Sequence, residues 1–330
     1  MMQMSRRNGF RLLAGAAAAL AFAAGPAAAQ EWPTRPVKIV IAVGPGSTGD
    51  LIARTLAPKL EAVWKQPVIV ENRPGAGGIV GTEHVVNATD GHTLLFASTS
   101  SMLPKFTAKA LRFDPYADLV PVYKFIEYQH ILTTNAETAK KAKTLREFVA
   151  LSKTAPVFFA GIGPTSVYNG TLAVVNKSMG VKYSTVDFNS VSAMNLALMR
   201  NDAQFAINTP SAVLSQIEAG QLAAYAVIGT ERYAKLPNVP TLAQAGVGFN
   251  GYIPMIWGGF MAPKNMPAGS VERIARDVLA IASDPSTTDP LEARFSGKVQ
   301  KSSPAQFAKE NIEEGNVWKE LFQSMNFKPE

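Results

Sequence analysis

Two glycine-rich stretches hold the groups best placed to take an anion. Gly46-Ser47-Thr48-Gly49-Asp50 sits between an apolar run and an amphipathic one, so it offers flexible amides and two hydroxyls at the start of a helix. Unpaired N–H groups and the helix dipole both favour negative charge at such a start. Ala76-Gly77-Gly78, within Gly75-Ala76-Gly77-Gly78, offers bare backbone that a ligand can approach closely. Ser98 and Thr99 open a hydroxyl cluster after a third apolar run. Each of these loops has a plainer reading as a turn with an N-cap, with Ser47 or Asp50 as the capping residue. Further along, Gly163, Thr165 and Ser166, then Asn189 and Ser190, then Asn208 and Thr209 follow strand-like runs. Converging neutral hydroxyls and amides suit reversible capture, at about 0.5–1.5 kcal/mol net per hydrogen bond.

Other chemistries fit less well. A phosphate-binding loop needs Lys after its last glycine, and Asp50 stands there instead. The dinucleotide fingerprint fails at Val80, where a third glycine is required. His84, His92 and His130 follow no metal-ligand spacing and read as surface or core residues. No cofactor and no metal are expected. Ser47 lies near, without matching, a nucleophile elbow, and no His-Asp pair is placed by sequence to serve it. Tyr168 and Phe188 read as core aromatics that could also line a site.

The loops need a scaffold, and the sequence supplies alternating elements. Val37–Val43 predicts a strand and Asp50–Trp64 a helix with Leu51, Ile52, Leu56, Leu60 and Val63 at helical spacing. Pro67–Glu71, Ile79–Asn87 and Thr93–Ala97 continue as strand, helix and strand, and a second set of such units starts near residue 131. Such alternation predicts an α/β protein with mostly parallel sheets flanked by helices. Its ligands are expected at the carboxyl ends of the strands. At 330 residues the chain fits two lobes. The expected division is 1–29 an export signal, 30–125 and 254–330 one lobe, and 126–253 the other. Crossing segments near 120–133 and 252–262 would serve as the hinge.

Charge and composition narrow the compartment. The net charge of +7 falls to about +4 once Arg6, Arg7 and Arg11 are set aside, and no Lys/Arg stripe is interleaved with aromatics, so nucleic acid is not expected as a partner. Those arginines precede the apolar run Leu12–Ala24 and the small residues Ala27-Ala28-Ala29, the three parts of a cleavable export signal. The run is shorter than the ~20 residues of a membrane span. Ser5-Arg6-Arg7 resembles a twin-arginine signal imperfectly, and the export route stays open. With no cysteine there is neither a lipid anchor nor a disulfide framework. A periplasmic, unanchored monomer is expected.

Three segments carry a family resemblance over nearly the whole chain after the signal. They are Val70-Glu71-Asn72-Arg73-Pro74-Gly75-Ala76-Gly77-Gly78, Asp90-Gly91-His92-Thr93-Leu94-Leu95, and Leu236-Pro237-Asn238-Val239-Pro240-Thr241-Leu242-Ala243-Gln244-Ala245-Gly246. In this order they resemble the periplasmic receptors of tripartite tricarboxylate transporters, often called Bug receptors. The resemblance implies a two-lobed Venus-flytrap fold that closes on a small carboxylate. The ligand would be held at Gly46, Ser47, Thr48, Asp50, Ala76, Gly77, Gly78, Ser98 and Thr99. It also implies a membrane permease of one small and one large subunit as partner. Two departures stand out: Asp187-Phe188-Asn189-Ser190 replaces the family's Pro-Tyr-Lys-Gly, and Asn208 stands where a carboxylate is frequent. Loss of that Lys and that carboxylate together changes the far end of the pocket, which makes an ammonium-bearing ligand less expected and points to di- or tricarboxylates, with aromatic dicarboxylates such as terephthalate included. The competing readings are a periplasmic sensor built on the same clamp and a secreted hydrolase using Ser47 or Ser98.

Overall fold

β-branched and aliphatic residues dominate the first strand, β1 (Val37–Ile41), and four of its five side chains are buried. A strand apolar on both faces belongs inside a sheet covered on both sides. In the computed structural model, residues 32–161, 167–188, 190–248, 255–324 and 327 are described. The chain divides into Met1–Thr34 and Arg35–Glu330. Of the first unit only residues 32–34 are described, so the expected export signal lies outside the described residues. The architecture below is that of the second unit.

After β1 come α1 (Thr48–Trp64), β2 (Val68–Asn72), a single 3-10 turn (Ala76–Gly78), α2 (Ile79–Val86) and β3 (Thr93–Ser98). Three short helices follow, α3 (Thr99–Met102), α4 (Pro104–Thr107) and α5 (Pro115–Asp118), before β4 (Leu119–Tyr128) and β5 (His130–Asn135). The next units are α6 (Ala136–Lys141), α7 (Leu145–Ser152), β6 (Phe158–Gly161), α8 (Val167–Met179), β7 (Ser184–Asp187) and α9 (Val191–Met199). β8 (Phe205–Asn208), α10 (Pro210–Glu218), β9 (Leu222–Ile228) and β10 (Ile256–Pro263) lead to the closing elements. These are α11 (Ala268–Ala282), α12 (Pro285–Phe295), β11 (Gly297–Val299) and α13 (Pro304–Ser324).

The strands make two sheets, ordered β11-β4-β10-β3-β1-β2 and β7-β6-β8-β5-β9. The two-lobed α/β architecture expected from the alternation is present, but the sheets are mixed. β1 pairs in parallel with β2 and β3, while β10 runs antiparallel to both β3 and β4. In the other sheet β6 is parallel to β7 and β8, and β5 is antiparallel to β8 and β9. Parallel pairing needs a helical crossover between partners. β4 and β10 are not joined that way, which leaves them free to run antiparallel. Residues 231–247 form turns, with one bridge between Val227 and Thr241.

Each sheet carries its own core. Val40, Leu95, Met261, Trp257 and Phe307 pack around the first, and Ile131, Ala160, Leu198, Ala206 and Val213 around the second. α1 buries Ile52, Leu56, Leu60 and Trp64 along one face. It ends at Lys65 in the left-handed region, whose N–H returns to the Glu61 carbonyl. α2 crosses the end of β1 so closely that a Cβ on Gly81 would lie 2.6 Å from Ala42 Cα and 2.7 Å from the Arg73 carbonyl oxygen. Backbone cannot yield as a side-chain tip can, so Gly81→Val is expected to cost about 3 kcal/mol. A lowered urea midpoint at unchanged slope is the result to look for.

Candidate functional site

The carboxyl ends of β1 and β3 open into a cleft of about 160 Å3. Ser47, Thr48 and Gly49 line it from the first loop, Gly77 and Gly78 from the second, and Ser98 from the third. The opposite wall is His130 at the start of β5 with Val167 and Tyr168 at the start of α8, and Tyr128 and Ile256 lie between. Residues of both sheets therefore face one space.

Each loop has a local cause. Ser47 is the N-cap of α1, and its Oγ accepts from the Asp50 N–H at 3.4 Å. The Thr48 and Gly49 amides stand ahead of any helical acceptor, as the first amides of every helix do. Asp50 is buried below the loop, where its carboxylate accepts from the Gly46 N–H at 2.9 Å and from Arg54 Nε at 3.0 Å. Arg54 continues to Asn72 Oδ1 at 2.8 Å, and Asn72 Nδ2 donates to the Val43 carbonyl at 3.1 Å. One polar chain thus ties the first loop to the end of β2. Burial pushes the Asp50 carboxyl up, but the Gly46 amide, Arg54 and Asn72 outweigh it and hold the group below its usual range.

The second loop is four consecutive residues with positive φ, from Gly75 (146°) through Ala76 (46°) and Gly77 (64°) to Gly78 (100°). Glycine is required at 75 on a second count, because a Cβ there would meet Val80 Cγ2 at 2.8 Å. In the third loop Ser98 caps α3, and its N–H donates to Ser101 Oγ at 3.3 Å. Thr99 is fully buried, and its hydroxyl donates to the Met255 carbonyl at 3.3 Å, tying this loop to the approach of β10.

Of the residues expected at the site, the structure brings Ser47, Thr48, Gly77, Gly78 and Ser98 onto the cleft. Gly46, Asp50, Ala76 and Thr99 stand beside it. Ser190 caps α9, its Oγ accepting from the Ala193 N–H at 3.2 Å, and Thr209 precedes α10. Asn208 is buried, with Nδ2 donating to Thr133 Oγ1 at 2.9 Å. These three do not line the cleft. Gly163, Thr165, Ser166 and Asn189 lie outside the described residues.

The far wall instead falls to Tyr168, read from sequence as a core aromatic that could also line a site, and to Tyr128 and His130, which had no such reading. His130 is 2% exposed, and its Nε2 lies 3.3 Å from the Tyr168 hydroxyl. The rings of Tyr128 and Tyr168 stand 5.6 and 5.3 Å from the imidazole, centroid to centroid. Burial, weakly opposed by the Tyr128 backbone, pushes the imidazole down to about 3, and burial pushes the Tyr168 phenol up to about 12. At neutral pH this wall is uncharged and aromatic, with polar tips. His92, by contrast, is held away from the cleft between Arg35 and the Asp90 carbonyl. Only the positive φ values of glycines and the hydroxyl clusters had a sequence signal; a lone histidine in an apolar strand has none.

Comparison with known proteins gives this geometry its context. The chain is 29% identical over 316 residues to a UPF0065 protein of Bordetella bronchiseptica, covering 94% of this chain and 91% of the relative. It is 32% identical over 269 residues to the protein BugT of Bordetella pertussis, covering 78% and 80%. A solved periplasmic transporter superposes with a TM-score of 0.77 at 26% identity, covering 90% of this chain and 99% of that one. Two more distant structures share the fold: R. palustris Rpa4515 with adipate, at TM-score 0.79 and 22% identity over 91% of this chain and all of that one, and Rhodopseudomonas palustris MatC with bound malate, at 0.75 and 24% over 88% and 99%. Among the described residues no helix is long and apolar enough to cross a membrane. Residues 52–327 match the tripartite tricarboxylate transporter family receptor, and the chain belongs to that family of periplasmic solute-binding proteins.

Proposed function

We propose that this protein captures a small di- or tricarboxylate in the cleft, closes its lobes over it without chemical turnover, and delivers it to a membrane permease of one small and one large subunit. The observation that carries the reading is the convergence of Ser47, Thr48, Gly77, Gly78 and Ser98 on one space at the carboxyl ends of β1 and β3. Backbone amides and hydroxyls at two helix starts suit a carboxylate, and the neutral aromatic wall of Tyr128, His130 and Tyr168 suits the ligand's carbon body. Related folds were solved with adipate and with malate, which supports the ligand class. Amine-free ligands, aromatic dicarboxylates included, stay at the front, because the described lining of the cleft offers no carboxylate to an ammonium group.

Binding without turnover is supported by where the candidate groups are engaged. Ser47 Oγ is committed to its helix cap, and the cleft's histidine faces Tyr168. Closure is assigned to the strands that pass between the sheets. β4 ends at Tyr128 and β5 begins at His130 in the other sheet, and Ile256 of β10 pairs with Tyr128. The lobes would then be residues 30–125 with 254–330, and 126–253, with hinges near 120–133 and 252–262. The working form is an exported monomer, cleaved near Ala29.

Thermal unfolding against a panel of malate, adipate, citrate, terephthalate, aspartate and glutamate tests this. A ligand present at 100 times its dissociation constant adds about 2.7 kcal/mol to the folded state, a rise of several degrees. Stabilisation by an amine-free carboxylate is expected. A flat response across the panel would sink the reading, and tight binding of the amino acids alone would overturn the ligand class.

A further inference from the structure

We propose that Arg54 is a positioning residue of the ligand site: it neutralises Asp50 and so lets a ligand carboxylate settle at the start of α1. This role rests on a carboxylate binding in the cleft, as proposed for this protein. It is exerted through Asp50, because Arg54 itself does not line the cleft.

The need for a counter-charge follows from where Asp50 stands. Ser47 is the N-cap of α1, and Asp50 lies in the helix's first turn. There the helix dipole is positive and the amides have no helical acceptor. An acidic side chain in that turn stabilises the helix, but it uses the same positive end that an anionic ligand would use. Asp50 already occupies one amide of the loop, the Gly46 N–H, at 2.9 Å. Its side chain is 3% exposed, so salt screens its charge little. With its carboxyl held below the usual range, Asp50 is ionised at neutral pH.

Arg54 supplies the opposite charge, with Nε 3.0 Å from Asp50 Oδ1. The guanidinium is fixed from a second side although its side chain is 49% exposed. Nη2 donates to Asn72 Oδ1 at 2.8 Å, and Asn72 Nδ2 donates to the carbonyl of Val43, a residue of the cleft wall, at 3.1 Å. With the pair formed, the first turn presents its amides to the cleft with no net side-chain charge behind them. Without Arg54, a ligand carboxylate would approach a buried carboxylate. Two unit charges about 10 Å apart at an effective dielectric of about 20 repel enough to change a binding constant about tenfold.

Isothermal titration at low salt with malate, adipate, citrate and terephthalate is the test. Arg54→Gln should weaken whichever of these the native protein binds about tenfold, while Arg54→Lys, which keeps the charge, should cost no more than about threefold. The double change Arg54→Gln with Asp50→Asn separates charge from mere structure. Removing the carboxylate removes the need for its counter-charge, so affinity should return to within about threefold of native. A role confined to bracing the loops predicts the reverse, because the second change takes away a further partner. Unchanged affinity in Arg54→Gln overturns the proposal, and so does a double variant as weak as the single one; either result leaves carboxylate capture in the cleft intact. Native protein that binds none of the four ligands overturns both. Should Arg54→Gln alone fail to fold, the double variant decides, near-native affinity upholding the proposal and a loss of about tenfold overturning it.

Discussion

Ser47→Asp is expected to abolish carboxylate binding while leaving the fold as stable as before. Ser47 has two jobs in the structure: it caps α1 through the Asp50 N–H, and it lines the cleft. Aspartate serves the first as well as serine does, because both rank among the best N-caps. It reverses the second, placing a fixed negative charge at the positive end of the helix that a ligand carboxylate would occupy. At an effective dielectric of about 20, like charges some 4 Å apart repel by about 4 kcal/mol. Affinity should therefore drop at least about a hundredfold, with the melting temperature of the unliganded protein nearly unchanged. Ser47→Ala is the opposite control: it keeps the cleft neutral and should cost the fold about 1 kcal/mol. Retained affinity in Ser47→Asp would show that the ligand does not sit at the start of α1.

The second large effect is acid lability through His130. Burial holds its imidazole at about 3, while the unfolded chain titrates near 6.5. Below pH 6.5 the unfolded chain takes up a proton that the folded protein refuses, so the stability present above pH 6.5 is lost as pH falls toward 3. The slope is about 1.4 kcal/mol per pH unit, giving a loss of about 2 kcal/mol between pH 7.5 and 5.0. His84 adds in the same direction, its pKa lowered by burial and then by Arg73. The depressed aspartates Asp50 and Asp90 enter only near pH 4 and below, since their unfolded values lie there. Urea unfolding at the two pH values should show the loss in the native sequence. His130→Gln, which keeps an acceptor for the Tyr168 hydroxyl, should remove most of it. An equal loss in His130→Gln would move the acid sensitivity elsewhere.

The N-terminal third was legible in detail because its signals are local. The strand expected over Val37–Val43 is β1 at Val37–Ile41, and the helix expected over Asp50–Trp64 is α1 at Thr48–Trp64. Turn glycines and a serine cap marked the loops between them, and those loops do face one space. Further on, the signal weakened for physical reasons. Residues 120–133 read as a single extended segment, yet they form β4 and β5 in different sheets, divided only at Gln129. Which sheet a strand joins is decided by its partners, and β10 lies more than a hundred residues away. β11 and α12 went unseen because three residues, and a helix opening on Asp284-Pro285 with Pro290 inside it, leave little periodicity. The far wall of the cleft was legible only at Tyr168, which the sequence offered as a core aromatic able to line a site, and not at Tyr128 or His130, for the same reason as β4. His130 and Tyr168 are buried aromatics in apolar surroundings, and only the meeting of two sheets turns them toward a ligand.

The place of β10 also sets the order in which the molecule can be made. It lies between β3 and β4 in the six-stranded sheet, pairing Gly258 with Ser98, roughly 160 residues earlier in the chain. Until that segment arrives, the facing edges of β3 and β4 are bare, and bare edges invite the wrong partners. The five-stranded sheet has no such wait, because all of its strands fall between His130 and Ile228. As the chain emerges from its N-terminus, the sheet begun first is completed last, after the other has formed. Ile256, which lines the cleft, arrives with β10, so the cleft is among the last features to assemble. A chain truncated before Ile256 would hold the cleft's three loops on an unfinished sheet.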